Sequence, residues 1–117
     1  MSKIKINPSA RDVSTYTNTE VWWDEDGDRV RVRLHQTVIF DYDGHALVLD
    51  TGGWKTPTTK KRINECFRAF GLRELGFSIY SKRGELLLDR PTDKGVESVS
   101  FHDGIAVIVP NASQEVL

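Results

Sequence analysis

The chain has 117 residues, 38% of them hydrophobic and 28% charged, with a formal net charge of −1. This composition predicts a single globular domain over 1–117 and excludes a disordered chain. The near-neutral charge excludes a protein that coats nucleic acid by bulk electrostatics, so any such binding must be local.

Cys66 is the only cysteine. An intramolecular disulfide and a thiolate-built metal site are therefore ruled out, which favours a reducing cytoplasm. The opening "MSKIKINPSARD" lacks the apolar core of a signal peptide. The longest apolar run, "IAVIV" at 105–109, is too short to span a bilayer, so no membrane association is expected.

In chain order, 1–14 reads as a polar lead-in. Asp26-Gly27, Asp43-Gly44 and Asp103-Gly104 then stand between β-prone segments. Asp-Gly supplies the positive φ angles that two-residue hairpin turns need. Arg83-Gly84 is a weaker fourth candidate.

A turn centred on Asp26-Gly27 sets Trp23 opposite Val30, Val21 opposite Val32 and Thr19 opposite Leu34. The other face pairs Asp24 with Arg29, Trp22 with Arg31 and Glu20 with Arg33. One register thus separates apolar from charged residues and matches opposite charges. A turn centred on Asp43-Gly44 pairs Phe40 with Leu47 and Val38 with Leu49, all facing the core. A three-strand meander over about 15–50 follows from these two turns.

Thr56 suits a helix N-cap and Pro57 a first helical position. Ile63, Cys66, Phe67 and Phe70 form one apolar stripe, and Gly71 suits the C′ position. A helix over about 57–70 is predicted. "LGFSIYS" and "ELLLD" read as strands joined by "KRGE", "RPTDKG" as a loop, and "ESVSFH" with "GIAVIVP" as a last hairpin around Asp103-Gly104. The tail from 110 to 117 reads as loose. The predicted class is α+β: one antiparallel sheet, or two small ones, of about six to seven strands with one helix packed on it.

Two surfaces are candidate sites. Arg29, Arg31, Arg33 and His35 alternate onto one strand face, about 6.6–6.8 Å apart, a spacing near that of successive phosphates. The hairpin register opposes this use, because Asp24 and Glu20 face two of the arginines and Trp22 can cover Arg31. An outward Trp22, with Tyr16 and Arg31, is a candidate protein-partner surface.

The second candidate is "LDTGGWKTPTTKKRIN", 49–64. Early helical amides point outward and, with the dipole, favour phosphate or carboxylate. Thr58 and Thr59 add hydroxyls; Lys55, Lys60, Lys61 and Arg62 add positive charge; Trp54 can stack on a base. Cations in the first helical turns oppose the dipole by about 0.3–1 kcal/mol each, a cost that a bound anion would offset. The alternative is that these cations form an ordinary solvated helix face, with Asp50 and Glu65 as candidate partners. There is no Walker A, GxGxxG, HExxH or GxSxG pattern, and the three histidines are scattered. No cofactor, metal or catalytic centre is expected.

The segment "LVLDTGGWKTPTTKKRIN", followed by "LGFSIYSKRGELLL", resembles a group of small phage- and prophage-encoded proteins sharing an LD(T/S)GGW-x-T-x-TTK-x-R-(I/M)-N pattern. The resemblance covers about 47–88. It implies a phage protein working in the host cytoplasm, in host takeover or anti-defence, and implies no chemistry. The expectation is a non-enzymatic binding protein holding nucleic acid or a nucleotide at the helix start. The alternative is an inhibitor that binds a host protein through a sheet face or edge. An exposed edge strand also makes a homo-oligomer possible.

Overall fold

The structure is a computed structural model and describes residues 18–24, 28–54 and 56–110. Tyr16, Lys55, the Asp26-Gly27 turn, the N-terminal lead-in and the tail from 111 lie outside the described residues. The architecture is the expected α+β one. Among the described residues, eight strands form two antiparallel sheets, and an α-helix packs between them and supplies the shared core.

The strands are β1 (Thr19–Trp23), β2 (Val30–Leu34), β3 (Thr37–Tyr42), β4 (Ala46–Leu49), β5 (Ser78–Lys82), β6 (Glu85–Thr92), β7 (Gly95–Ser100) and β8 (Ile105–Ile108). The larger sheet has the order β1-β2-β3-β4-β8 and the smaller β5-β6-β7. The helix, α1, covers Pro57–Ala69, and a short 3-10 turn follows at Arg73–Leu75.

The first hairpin has the register expected from charge and apolar matching, with Thr19, Glu20, Val21, Trp22 and Trp23 opposite Leu34, Arg33, Val32, Arg31 and Val30. Asp24 closes it, donating its amide to the Arg29 carbonyl at 3.0 Å.

The next segment departs from the expected meander. Residues 19–49 hold four strands, because the chain reverses at His35-Gln36, where His35 takes φ 56° and donates its amide to the Asn18 carbonyl at 2.8 Å. No glycine, proline or asparagine marks this turn. A bulge follows: Val32 pairs with Phe40 but Arg33 with Val38, leaving Ile39 as an extra residue. Ile39 and Phe40 are therefore both buried, while Val38, expected in the core, is turned outward.

The β3–β4 turn also shifts. Tyr42, not Phe40, lies opposite Leu47, and Phe40 lies opposite Leu49. The central turn residues are Gly44-His45, with only Gly44 at positive φ, which is the type II′ requirement. Asp43 sits just before them and accepts the His45 and Ala46 amides, each at 2.8 Å. A shift of two positions keeps Phe40, Leu47 and Leu49 on their predicted core face.

Asp103-Gly104 is not a hairpin turn. β7 pairs with β6 in the small sheet, whereas β8 crosses to pair with β4 in the large one. Asp103 instead fastens the loop after β4. Its carboxylate accepts the Thr51 amide and hydroxyl, both at 2.7 Å, and the Gly53 amide at 3.1 Å. "RPTDKG" is likewise not a loop: Arg90–Thr92 extend β6, and Asp93-Lys94 make the turn. Pro91 is tolerated there because β5 pairs with β6 only as far as Asp89, so one side of the strand is open. Arg83-Gly84 is a true hairpin turn, both residues at positive φ between the paired Lys82 and Glu85.

The helix begins and ends where its sequence dictates. Thr56 caps the Thr59 amide at 3.3 Å, and Pro57 starts the first turn. At the other end Leu72 donates to the Phe67 carbonyl at 2.8 Å and Gly71 to that of Arg68 at 3.3 Å, a Schellman closure with Gly71 at φ 78°. The apolar stripe then joins the sheets. Phe70 stacks on Phe40 and meets the edge of Trp23, while Phe67 stacks on Phe77. Asn64 bridges to β5 with its carboxamide, donating to the Ile79 carbonyl at 2.9 Å and accepting the Ile79 amide at 3.0 Å. The helix thereby covers the outer edge of the small sheet. Cys66 is wholly buried, and burial, followed by the Glu65 charge, pushes its thiol pKa far up, which makes it an inert core residue. Among the described residues no helix is long and apolar enough to cross a membrane.

Candidate functional site: a cleft at the start of the helix

The loop after β4 is held in a fixed shape by its own polar atoms. Asp50 accepts the Gly52 amide at 2.6 Å, Thr51 accepts the Gly53 amide at 3.2 Å, and Trp54 donates to the Thr51 carbonyl at 2.9 Å. The Asp103 carboxylate anchors the whole loop from outside. Gly52 is needed on two counts: its φ is +64°, and a Cβ there would overlap the Thr37 hydroxyl. Gly52 thus lets the loop lie against Thr37 at the start of β3, and Trp54 beyond it is 69% exposed.

This contact creates a cleft of about 560 Å³ between the helix start and the β2–β3 turn. Its walls are Leu34, His35, Gln36 and Thr37 on one side and Trp54, Thr56, Thr58 and Thr59 on the other. None of the eight is acidic. They offer hydroxyls, a carboxamide, an imidazole and an indole, a set suited to an anionic or polar ligand with a flat ring.

The amides of the first turn contribute less than a free helix start would. Pro57 has no N–H, the Thr59 amide is capped by Thr56, and the Lys60 amide bonds the Thr56 carbonyl at 3.1 Å. The Thr58 amide is the one left without a partner among the described residues. The first turn contains no acidic residue.

Of the residues singled out from sequence, Trp54, Thr58 and Thr59 line this cleft, with Thr59 buried and Thr58 exposed. Lys60, Lys61 and Arg62 do not line it. Lys60 reaches β5, donating to the Ser81 hydroxyl at 2.7 Å. Lys61 is exposed on the helix surface. Arg62 is buried and pairs with Glu65 at 3.0 Å. His35, Gln36 and Thr37 were not expected in this site. Their sequence places His35 on the arginine face, and only the turn and bulge bring them across.

The arginine face is neutralised within itself. Arg29 makes a two-pronged contact with Asp41, at 2.7 and 3.0 Å. Arg31 bonds Asp24 at 2.8 Å and lies 3.7 Å from Asp41, and Arg33 pairs with Glu20. Asp41 enters from β3, a partner the first hairpin alone does not supply. Trp22 is 36% exposed beside these pairs. A second hollow, about 600 Å³, runs along β1 past Thr19, Glu20, Val21, Trp22 and Arg33, and the Arg33–Glu20 pair occupies its wall. On the small sheet Tyr80, Asp89 and Ser98 form a closed hydrogen-bonded triangle. Among the described residues no group of three or more His, Cys, Asp or Glu side chains is placed to hold a metal ion.

Among the described residues these features define a small α+β protein with two antiparallel sheets, a helix that joins them, and a cleft at the start of that helix with no acidic residue in its walls. The chain matches the family model described as Kyanoviridae Gp96 protein over residues 5–108. It belongs to that family and is a phage protein. No curated protein and no solved structure matches it.

Proposed function

We propose that this phage protein binds a phosphate-bearing ligand, a nucleotide or a stretch of single-stranded nucleic acid, in the cleft at the start of α1. The observation that carries this reading is the position of an exposed Trp54 on the rim of a cleft lined by Thr58, Thr59 and His35 and, among the described residues, by no carboxylate. The base stacks on Trp54, as bases stack on aromatic platforms in single-strand binders. The phosphate takes the Thr58 amide and hydroxyl and lies at the positive end of the helix dipole. His35 and Gln36 close the opposite wall. Lys61 adds charge from the helix surface without touching the ligand.

Binding is tested by titrating the protein with nucleoside mono- and triphosphates, inorganic phosphate and a short single-stranded oligonucleotide. Replacing Trp54 with Ala removes the stacking platform, and loss of one stacked base weakens affinity by about 1–3 kcal/mol. Thr58→Pro removes the one open amide. The reading is overturned if none of these probes binds, or if both variants bind as tightly as the wild type.

A further inference from the structure

We propose that two copies of this chain pair through β8, antiparallel about Val107, and join their larger sheets into one. Among the described residues the two sheets have four edge strands, β1, β8, β5 and β7. Unpaired strand edges are normally protected by charge, proline, a bulge or a covering element. β5 is covered by α1 through Asn64. β1 carries Glu20, paired with Arg33, and β7 carries Glu97, paired with Arg90. β8 reads Ile-Ala-Val-Ile, with no charge, and Ile108 is 72% exposed. Among the described residues, no strand lies on its free side.

The free edge is complementary to itself. Val109 donates to the His45 carbonyl at 2.7 Å, so the residues in phase with it, including Val107, turn their backbone groups toward β4. Ala106 and Ile108 therefore present N–H and C=O groups to the open side. A twofold axis at Val107 sets Ala106 opposite Ile108 of the second copy, and Ile108 opposite its Ala106. Both are then hydrogen-bonded pairs, and Val107 faces its equivalent in the non-bonded position between them. The neighbouring register, centred on Ala106, requires the Gly104 amide, which already bonds the Leu49 carbonyl at 2.9 Å. Side chains fit the same axis. Ala46 lies opposite Ile108 within one chain. Ile108 would then stand between two alanines, Ala46 of its own chain and Ala106 of the second copy. Large and small residues alternate along the outer face.

The mass of the full chain in solution, measured by light scattering or sedimentation over a concentration series, reads this directly. The wild type is expected at twice the single-chain mass. Ile108→Lys places a charge at the join, and Ala106→Pro removes an outward N–H; both are expected at the single-chain mass with an unchanged circular dichroism spectrum. Hydrogen exchange on the wild type gives a readout free of folding effects: the Ala106 and Ile108 amides are slow when concentrated and fast when dilute. A wild type that stays single at every concentration overturns the proposal. So does a dimer that survives both substitutions, or one whose 106 and 108 amides exchange equally fast at all concentrations.

Discussion

The Asp103 carboxylate accepts both the amide and the hydroxyl of Thr51 at 2.7 Å, across 52 positions of sequence. Through this contact the crossover into β8 fixes the loop that carries Trp54. Thr51 is buried, so its polar groups have no solvent to turn to if the carboxylate is removed. Asp103→Ala should cost about 1–3 kcal/mol for each buried group left unpaired. Asp103→Asn keeps an acceptor oxygen and should lose less. Urea unfolding of the two variants measures the difference.

Gly52 and Gly53 look alike in sequence and differ in the structure. Both have positive φ, +64° and +86°, but only at Gly52 would a Cβ meet Thr37, whereas nothing lies within 4 Å of one at Gly53. Gly53→Ala should therefore cost only the left-handed conformation, about 1–2 kcal/mol. Gly52→Ala should cost distinctly more. Adding Thr37→Ala should recover the excess and leave the conformational part, a coupling that a double-mutant cycle in urea reads out.

The cations at the start of α1 should separate cleanly. Arg62 is buried against Glu65, and breaking a buried pair by removing one partner typically costs about 3–5 kcal/mol. Arg62→Glu should be at least that harmful, since it sets two carboxylates together. Lys61→Glu should leave stability within about 0.5 kcal/mol, with a small gain from the helix dipole. Thermal melts of the two variants decide it. A combined charge reversal over 60–62 would confuse unfolding with lost binding, so the two positions are best changed singly.

Asp43 makes a pH-dependent contribution to stability. Burial alone would raise its carboxyl pKa. The amides of Ala46 and His45, with the nearby charges of His45 and Arg29, outweigh burial and hold it below the ordinary value of 3.8. A lowered folded pKa gives stability that is present above pH 3.8 and is lost as pH falls through the folded value. Asp43→Asn should thus be less stable than wild type at neutral pH. The two should converge once both side chains are neutral, in strong acid. Paired denaturation curves at the two pH values test this.

Legibility in the sequence followed how local each determinant is. The first hairpin could be read pair by pair because apolar and charged faces demanded the same register. The helix could be read from Thr56, Pro57 and Gly71, all of which act within one turn. Asp103-Gly104 misleads because Gly104 does take positive φ, at 81°, while the partners of Asp103 lie across the fold at Thr51 and Gly53. The His35 turn and the Ile39 bulge carry no marker residue, so the wall they bring to the cleft was invisible. Trp54, Thr58 and Thr59 were found because they flank a visible helix start. Lys60, Lys61 and Arg62 were grouped by sequence, but successive helical residues point about 100° apart. Three neighbours therefore meet β5, solvent and Glu65 in turn.

The central claim is that a phosphate-bearing ligand sits between Trp54 and the first turn of α1. Nuclear magnetic resonance titration tests it most directly, because Trp22, Trp23 and Trp54 each give a separate indole N–H signal. The account predicts that a nucleoside triphosphate or short oligonucleotide shifts the Trp54 indole together with the Thr58 and His35 amides, and leaves Trp23 in the core unmoved. Shifts confined to Trp22 and the arginine face, or none at all at saturating ligand, would contradict it.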